Sequence, residues 1–308
     1  ENRELNDMYN FLRSETVNYQ DHPLLSDSFK LFRDVLFVAP FFIVTDYVEP
    51  IRFKDRDNIY KQYWHTLPDA GITMDGDNFR TNFNGANIYV APVQQEVGLT
   101  GQIKEGYWAK GSTYTFADYV RYDKTAKGAT TFNTILYPMK PSENIDVKTN
   151  NIEIDVAENT ANAFSFETTE KNTGKVTETY YYTLLDEGAQ AQRRFGKYST
   201  DSKLALITSN NDKNEQAILR NGTNLKDDKR DIILSKSPVS DLGIKWMGDE
   251  IRLYTSKGAS TNSDYISAAS ENLALDKRVF NESEDTQEGI ENAVDGDMNT
   301  YWQSSYSS

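Results

Sequence analysis

Apolar residues in this chain come in short bursts separated by turn-forming dipeptides, and that spacing limits the possible folds more than any other feature. Leu36-Phe37-Val38 and Phe42-Ile43-Val44 flank Ala39-Pro40 as two short runs, the pattern of strands buried on both faces. Ile88-Tyr89-Val90, Ile152-Glu153-Ile154-Asp155-Val156 and Phe164-Ser165-Phe166 follow. The middle run alternates strictly, which places Ile152, Ile154 and Val156 on one face and the acids in water. Val176 to Leu185 is a longer run rich in Thr and Tyr, preceded by the turn sequence Asn172-Thr173-Gly174-Lys175. Leu204 to Ile207, Ile232-Ile233-Leu234 and Ile251-Arg252-Leu253-Tyr254 complete the series, punctuated by Asp75-Gly76, Asn84-Gly85 and Asn221-Gly222. A helical period is suggested only in the polar first residues, Glu1 to Phe11. Many short strands with turns between them predict an all-β fold, a large antiparallel β-sandwich.

Composition narrows the function classes. The 308 residues suit one large domain or two ordinary ones, and 19 Tyr with 15 Phe supply a core that favours sheet over helix. No apolar run approaches the roughly 20 residues that cross a bilayer as a helix. The absence of cysteine excludes disulfides, Cys-based zinc sites and thiol nucleophiles. Two histidines, His22 and His65, are too few to argue a His-rich metal centre. A formal charge of -14 argues against nucleic acid, which requires clustered Lys and Arg to displace counterions. A polyanionic substrate would have to meet a locally basic cleft in an otherwise acidic shell.

The chain divides near its end. Residues 1–254 carry the strand pattern, and residues 255–271 are small and polar, as flexible linkers are. Residues 272–308 open with Asn272-Leu273-Ala274-Leu275-Asp276-Lys277 and continue to Ala293-Val294-Asp295-Gly296-Asp297-Met298-Asn299-Thr300-Tyr301-Trp302. An Asp-x-Asp-x-x-Thr run offers hard oxygens to a calcium ion, here Asp295, Asp297 and Thr300. The competing reading is an acidic surface turn. Together the two stretches resemble the opening of the discoidin, or coagulation factor 5/8 type C, family of carbohydrate-binding modules, with Asp276 where a Gly is usual. The resemblance implies a structural calcium, and a module of which only the beginning is present, so that residues 272–308 are expected neither to bind sugar nor to order well by themselves.

The large segment carries a second resemblance. Phe32-Arg33-Asp34-Val35-Leu36-Phe37-Val38-Ala39-Pro40 running into Phe41-Phe42-Ile43-Val44-Thr45-Asp46, with Tyr63-Trp64-His65-Thr66-Leu67-Pro68 and Phe132-Asn133-Thr134-Ile135-Leu136-Tyr137-Pro138, is similar to the β-sandwich of heparinase II/III-like polysaccharide lyases. These are apolar strand patterns rather than catalytic signatures. The resemblance implies a parent enzyme that cleaves uronic-acid-containing polysaccharides by β-elimination. In that chemistry a base removes the proton beside the sugar carboxylate while a neutralising group makes that proton acidic. In the family those roles fall to a helical toroid preceding the sandwich, with a His-x-His segment and a zinc site. Neither has a counterpart here, so no catalytic residue and no zinc ligand is assigned, and the toroid is the expected intramolecular partner.

Within the sandwich, Trp64 and His65 are candidates to face a sugar, against the competing reading of a packed strand histidine bonded to a backbone carbonyl. Arg193 and Arg194 are candidates to meet a carboxylate or sulfate, against that of a solvated loop pair balancing Asp186 and Glu187. Arg33 is expected to pair with Asp46 for structural reasons, and Gly106 to Gly111 reads as an aromatic loop that lines a cleft or plugs the sandwich. Asp75-Gly76-Asp77 and Asp227-Asp228 read as turns. The expectation is therefore a C-terminal part of a secreted bacterial lyase, extracellular, periplasmic or at the cell surface, acting on acidic polysaccharide and inert without its toroid. The alternative is a non-catalytic extracellular glycan-binding or adhesion protein.

Overall fold

A computed structural model describes residues 2–5, 8–18, 29–52, 54–93, 99–110, 112–141, 143–154, 160–185, 190–211, 213–248, 250–255, 266–267 and 278–281. Among the described residues every regular element is a strand, and none is a helix that could cross a membrane. The all-β expectation holds. By their contacts the residues divide between two compact units. The first comprises Glu1–Arg3, Asn10–Asn151 and Thr168–Lys175, and the second Glu4–Tyr9, Ile152–Glu167 and Val176–Ser308.

The first half of the chain forms β1 (Asn2–Leu5), β2 (Tyr9–Asn18), β3 (Phe29–Val38), β4 (Phe41–Pro50), β5 (Asp57–His65), β6 (Ile72–Asp75), β7 (Asn78–Thr81), β8 (Asn87–Pro92), β9 (Thr100–Lys110), β10 (Thr113–Lys127), β11 (Thr130–Met139) and β12 (Ile145–Asn151). Eight of them make one sheet in the order β1-β2-β3-β4-β11-β8-β7-β6, and three make a second, β5-β10-β9. The two sheets of the first unit meet through Phe79, Val90 and Phe132 on one side and Val120 and Tyr122 on the other, with Tyr60 and Trp64 at the margin. The run around Ala39-Pro40 is the β3–β4 hairpin, in register from Phe29↔Pro50 to Val38↔Phe41. Asp75-Gly76-Asp77 is the β6–β7 turn, where Gly76 takes φ 61°.

The second half forms β13 (Ala161–Glu170), β14 (Lys175–Leu184), β15 (Arg193–Phe195), β16 (Tyr198–Thr200), β17 (Leu204–Asn210), β18 (Lys213–Arg220), β19 (Gly222–Asp227), β20 (Asp231–Val239), β21 (Leu242–Met247), β22 (Glu250–Tyr254), β23 (Ile266–Ser267) and β24 (Arg278–Asn281). In the second unit, β14-β17-β18-β21-β22-β24 and β15-β16-β19-β20-β23 run as neighbours in two sheets. Tyr182, Ala205, Ile207, Leu219 and Ile244 of the larger sheet close on Phe195, Tyr198, Leu225 and Ile233 of the smaller. Each unit is thus a pair of packed sheets whose inward residues alternate with outward ones.

Two sequence expectations change. The described residues between Glu1 and Phe11 are not helical: they belong to β1 and β2 apart from Met8, and Tyr9 and Phe11 are buried at 1 % and 4 % exposure. Sheet pairing and burial outweigh a weak local period. The alternating run at Ile152 is preceded by the strand rather than forming it, since β12 ends at Asn151. Ile152 and Ile154 pack against the second unit's core, and the Ile152 amide donates to the Ala163 carbonyl at 3.1 Å. Their alternation reports burial of one face without a ladder. Within 255–271 the described residues Ile266–Ser267 form a two-residue strand opposite Leu234 and Ser235, and within 272–308 β24 lies parallel to β22. The proposed calcium ligands Asp295, Asp297 and Thr300, and Trp302, lie outside the described residues.

Candidate functional site

The first unit holds a cleft of about 790 Å³ lined by β3, β4, the 51–56 connection and β5. Among the described residues β5 is the edge strand of its three-stranded sheet, so one flank of the cleft is an edge strand. Four cations line it, Arg33, Arg52, Arg56 and Lys61, against two acids, Asp46 and Asp57. In a chain of formal charge -14 that is a local reversal of sign.

The base of the cleft is a polar network built by the β3–β4 register. Arg33 stands directly across from Asp46. Its Nε and second terminal nitrogen donate to the two Asp46 oxygens at 2.5 and 2.6 Å, the two-pronged geometry a guanidinium offers a carboxylate. That hydrogen bond raises the Arg33 pKa against the opposing effect of burial. Gln62 of β5 donates from Nε2 to the same carboxylate at 2.9 Å, and its Oε1 accepts from the Trp64 indole at 3.0 Å and from the Thr134 hydroxyl at 3.3 Å. Thus Arg33 is the structural ion pair the sequence suggested, while Arg52 and Arg56 stand exposed at the rim. The Tyr60 hydroxyl donates to the Gly128 carbonyl, and burial pushes its pKa up.

Alternation along β5 separates the two candidates that adjoin in sequence. Asn58, Tyr60, Gln62 and Trp64 point to the core side and Ile59, Lys61, Tyr63 and His65 to solvent, following the burial pattern eieieBeie. Trp64 is therefore a core-margin residue, with the Arg33 guanidinium 5.9 Å from its ring centre. His65 lies on the opposite face, 5.0 Å from the Tyr119 ring and 6.3 Å from the Tyr63 ring. It is exposed among aromatic rings rather than packed inside the sheet.

Arg193 and Arg194 belong to β15 in the second unit. Arg194 pairs with Asp228 at 3.0 Å, both side chains well exposed, a contact worth little to stability. Its partner is Asp228; Asp186 and Glu187 lie outside the described residues. Arg193 interacts with the buried Tyr182 hydroxyl, whose pKa burial raises and Arg193 lowers. Neither arginine belongs to the cleft. The segment from Gly106 is strand β9 rather than a loop, and Asp227 caps a turn by accepting from the Lys229 and Arg230 amides at 2.7 and 2.9 Å.

Sequence reading overlooked Arg52, Arg56, Lys61 and Gln62. The signal was present in Arg52-Phe53-Lys54-Asp55-Arg56, three cations to one acid in an acidic chain. Gln62 left no such mark, because its role depends on β5 crossing over Asp46. Among the described residues no group of His, Asp and Glu is placed to hold a metal ion.

Among solved structures the chain is similar to a heparan sulfate lyase from Pedobacter heparinus, at 15 % identity over 61 % of this chain and 28 % of that one, with TM-score 0.43. It is also similar to a heparinase III gene product, at 17 % identity over 57 % of this chain and 27 % of that one, with TM-score 0.41. The chain thus spans little more than a quarter of the length of either. No family model and no curated protein matches its sequence.

Proposed function

We propose that this chain is the β-sandwich part of a polysaccharide lyase and that its first unit binds an acidic polysaccharide in the cleft beside β5. The observation that carries the reading is the cation-lined cleft, with Arg52, Arg56 and Lys61 at its rim, in a strongly acidic chain. Arginine forks suit carboxylates and sulfates, and the Tyr60 and Tyr63 rings give the apolar faces of sugar rings a surface. The strand motifs resembling heparinase II/III-like lyases supply the reaction class: β-elimination next to a uronate carboxylate, with catalytic groups outside this chain. In this reading Asp46 and Gln62 do no proton transfer. They fix the cleft floor and hold Arg33. The reading includes a bacterial protein working outside the cell or in the periplasm, where a polymeric substrate of this kind is met. Asp295, Asp297 and Thr300 belong to the reading as ligands of a structural calcium in a discoidin-like module, with no part in the chemistry.

Calorimetric titration tests the binding half. A sulfated, uronate-containing polysaccharide is expected to bind and a neutral glucan not to, with affinity falling as salt rises. The double variant Arg52→Ala/Arg56→Ala is expected to lose about tenfold or more, the scale of one or two charged contacts. Equal binding of neutral and acidic polymers would refute it. A lyase parent further predicts an unsaturated uronate absorbing in the near ultraviolet when the complete enzyme meets its polymer. The second reading, a non-catalytic glycan-binding protein, is favoured by the all-strand content of the described residues. It predicts the same binding and no such product.

A further inference from the structure

The outer face of β5-β10-β9 carries an aromatic cluster of which only Tyr63 also lines the cleft. Antiparallel register sets Tyr119 of β10 across from His65 of β5, and Arg121 across from Tyr63. Ring centres of Tyr63, His65 and Tyr119 lie 5.0 to 6.3 Å apart. Tyr119 crosses onto β9 over Gly106: a Cβ at Gly106 would sit 2.8 Å from the tyrosine ring. Gly106 is therefore what lets this ring lie across the sheet instead of standing off it. His65 is tilted only 31° from that ring, and Tyr63 only 20° from His65. The rings form a broad surface, and Tyr63 is 46 % exposed.

The charges on this face have one dominant sign. By the same alternation Lys61, Lys104, Arg121 and Lys127 share it with Asp57 and Asp123, four cations to two acids. Arg121 is oriented by its 2.7 Å bond to Asp123. Lys61 and Tyr63 also line the cleft, so the face continues from the cleft around the edge strand β5. From Lys61 to His65 the strand advances about 13 Å, enough to follow several linked sugars.

We infer that this face is a second glycan-contact surface, on which sugar rings of an acidic oligosaccharide leaving the cleft stack on Tyr63 and Tyr119 while its carboxylates or sulfates meet Lys61, Lys104 and Arg121. The inference rests on the acidic-glycan reading of the cleft and adds to it a dependence on chain length. Short ligands fill the cleft alone; long ones use both.

Calorimetry with a sulfated, uronate-containing tetrasaccharide and decasaccharide separates the two claims. Tyr119→Ala, which removes a ring outside the cleft, is expected to weaken the decasaccharide about tenfold, the scale of a ring-stacking contact, and to leave the tetrasaccharide unchanged. Tyr119→Phe keeps the ring and is expected to bind as the parent chain does, and unchanged tetrasaccharide binding by Tyr119→Ala excludes a folding defect as the cause. If Tyr119→Ala binds the decasaccharide normally while Arg52→Ala/Arg56→Ala loses both ligands, the second surface is refuted and the cleft stands. If the unaltered chain binds neither acidic ligand, both readings fall together.

Discussion

Arg33 and Asp46 show how one cross-strand pair sets the floor of a site. Asp46 is 5 % exposed, whereas the Arg33 side chain is 48 % exposed, so the carboxylate is the member that cannot regain water if its partner goes. Removing the cation leaves a buried charge held by Gln62 alone, and Arg33→Ala is expected to cost about 3 kcal/mol. Asp46→Asn in the same chain removes that charge and should recover part of the loss. A double-mutant cycle by chemical denaturation measures this; additive losses would show that the pair does not couple. Gly101 makes a separate steric point. A Cβ there would sit 2.8 Å from the fully buried Tyr122 ring and 3.1 Å from Met74. Gly101→Ala is therefore expected to destabilise by about 1–3 kcal/mol, the range for overpacked cores. An unchanged denaturation midpoint would mean that Tyr122 has room to move.

β5 shows what a strand's alternation reveals and what it withholds. The sequence marks Tyr63-Trp64-His65 as aromatic, but only the sheet says which ring faces the core. Replacement of Ile59, 69 % exposed, by Lys is expected to leave the thermal midpoint within experimental error. Trp64→Ala should cost about 3 kcal/mol, because its ring sits at the first unit's core and its indole bonds Gln62. Equal effects would overturn the facing assigned to β5. Dense apolar runs and clear turn signals, such as the β3–β4 hairpin and the β6–β7 turn, were legible in advance. β1, β2 and β12 were not, because their sequences carry no dense apolar run and it is pairing with β2, β3 and β13 that makes them strands. The cleft was legible only as a requirement, a basic patch in an acidic chain. Its members come from β3, β5 and a connection, and their meeting depends on the register and packing of two sheets.

At the scale of the molecule, buried phenols tie stability to pH. Tyr60, Tyr89, Tyr122, Tyr137, Tyr180 and Tyr182 all have raised pKa values, with burial the largest cause in each, and Tyr180 is pushed up to about 12. A group raised on folding contributes stability that is intact below its unfolded value, near 10 for tyrosine, and disappears as pH climbs through the folded value. The melting temperature is accordingly expected to begin falling above about pH 10, with Tyr180's share lost between about 10 and 12. Tyr180→Phe should make that fall shallower. A slope unchanged by the substitution would remove Tyr180 from the account. The two units invite the same division in function, with glycan contact assigned to the first and none of the cleft residues drawn from the second. Hydrogen exchange of the chain with and without a sulfated, uronate-containing decasaccharide tests that assignment most directly. The account predicts new protection concentrated in Arg52 to His65 and in β10, with the second unit unchanged. Protection confined to the second unit, around Arg193 and Arg194, would contradict it.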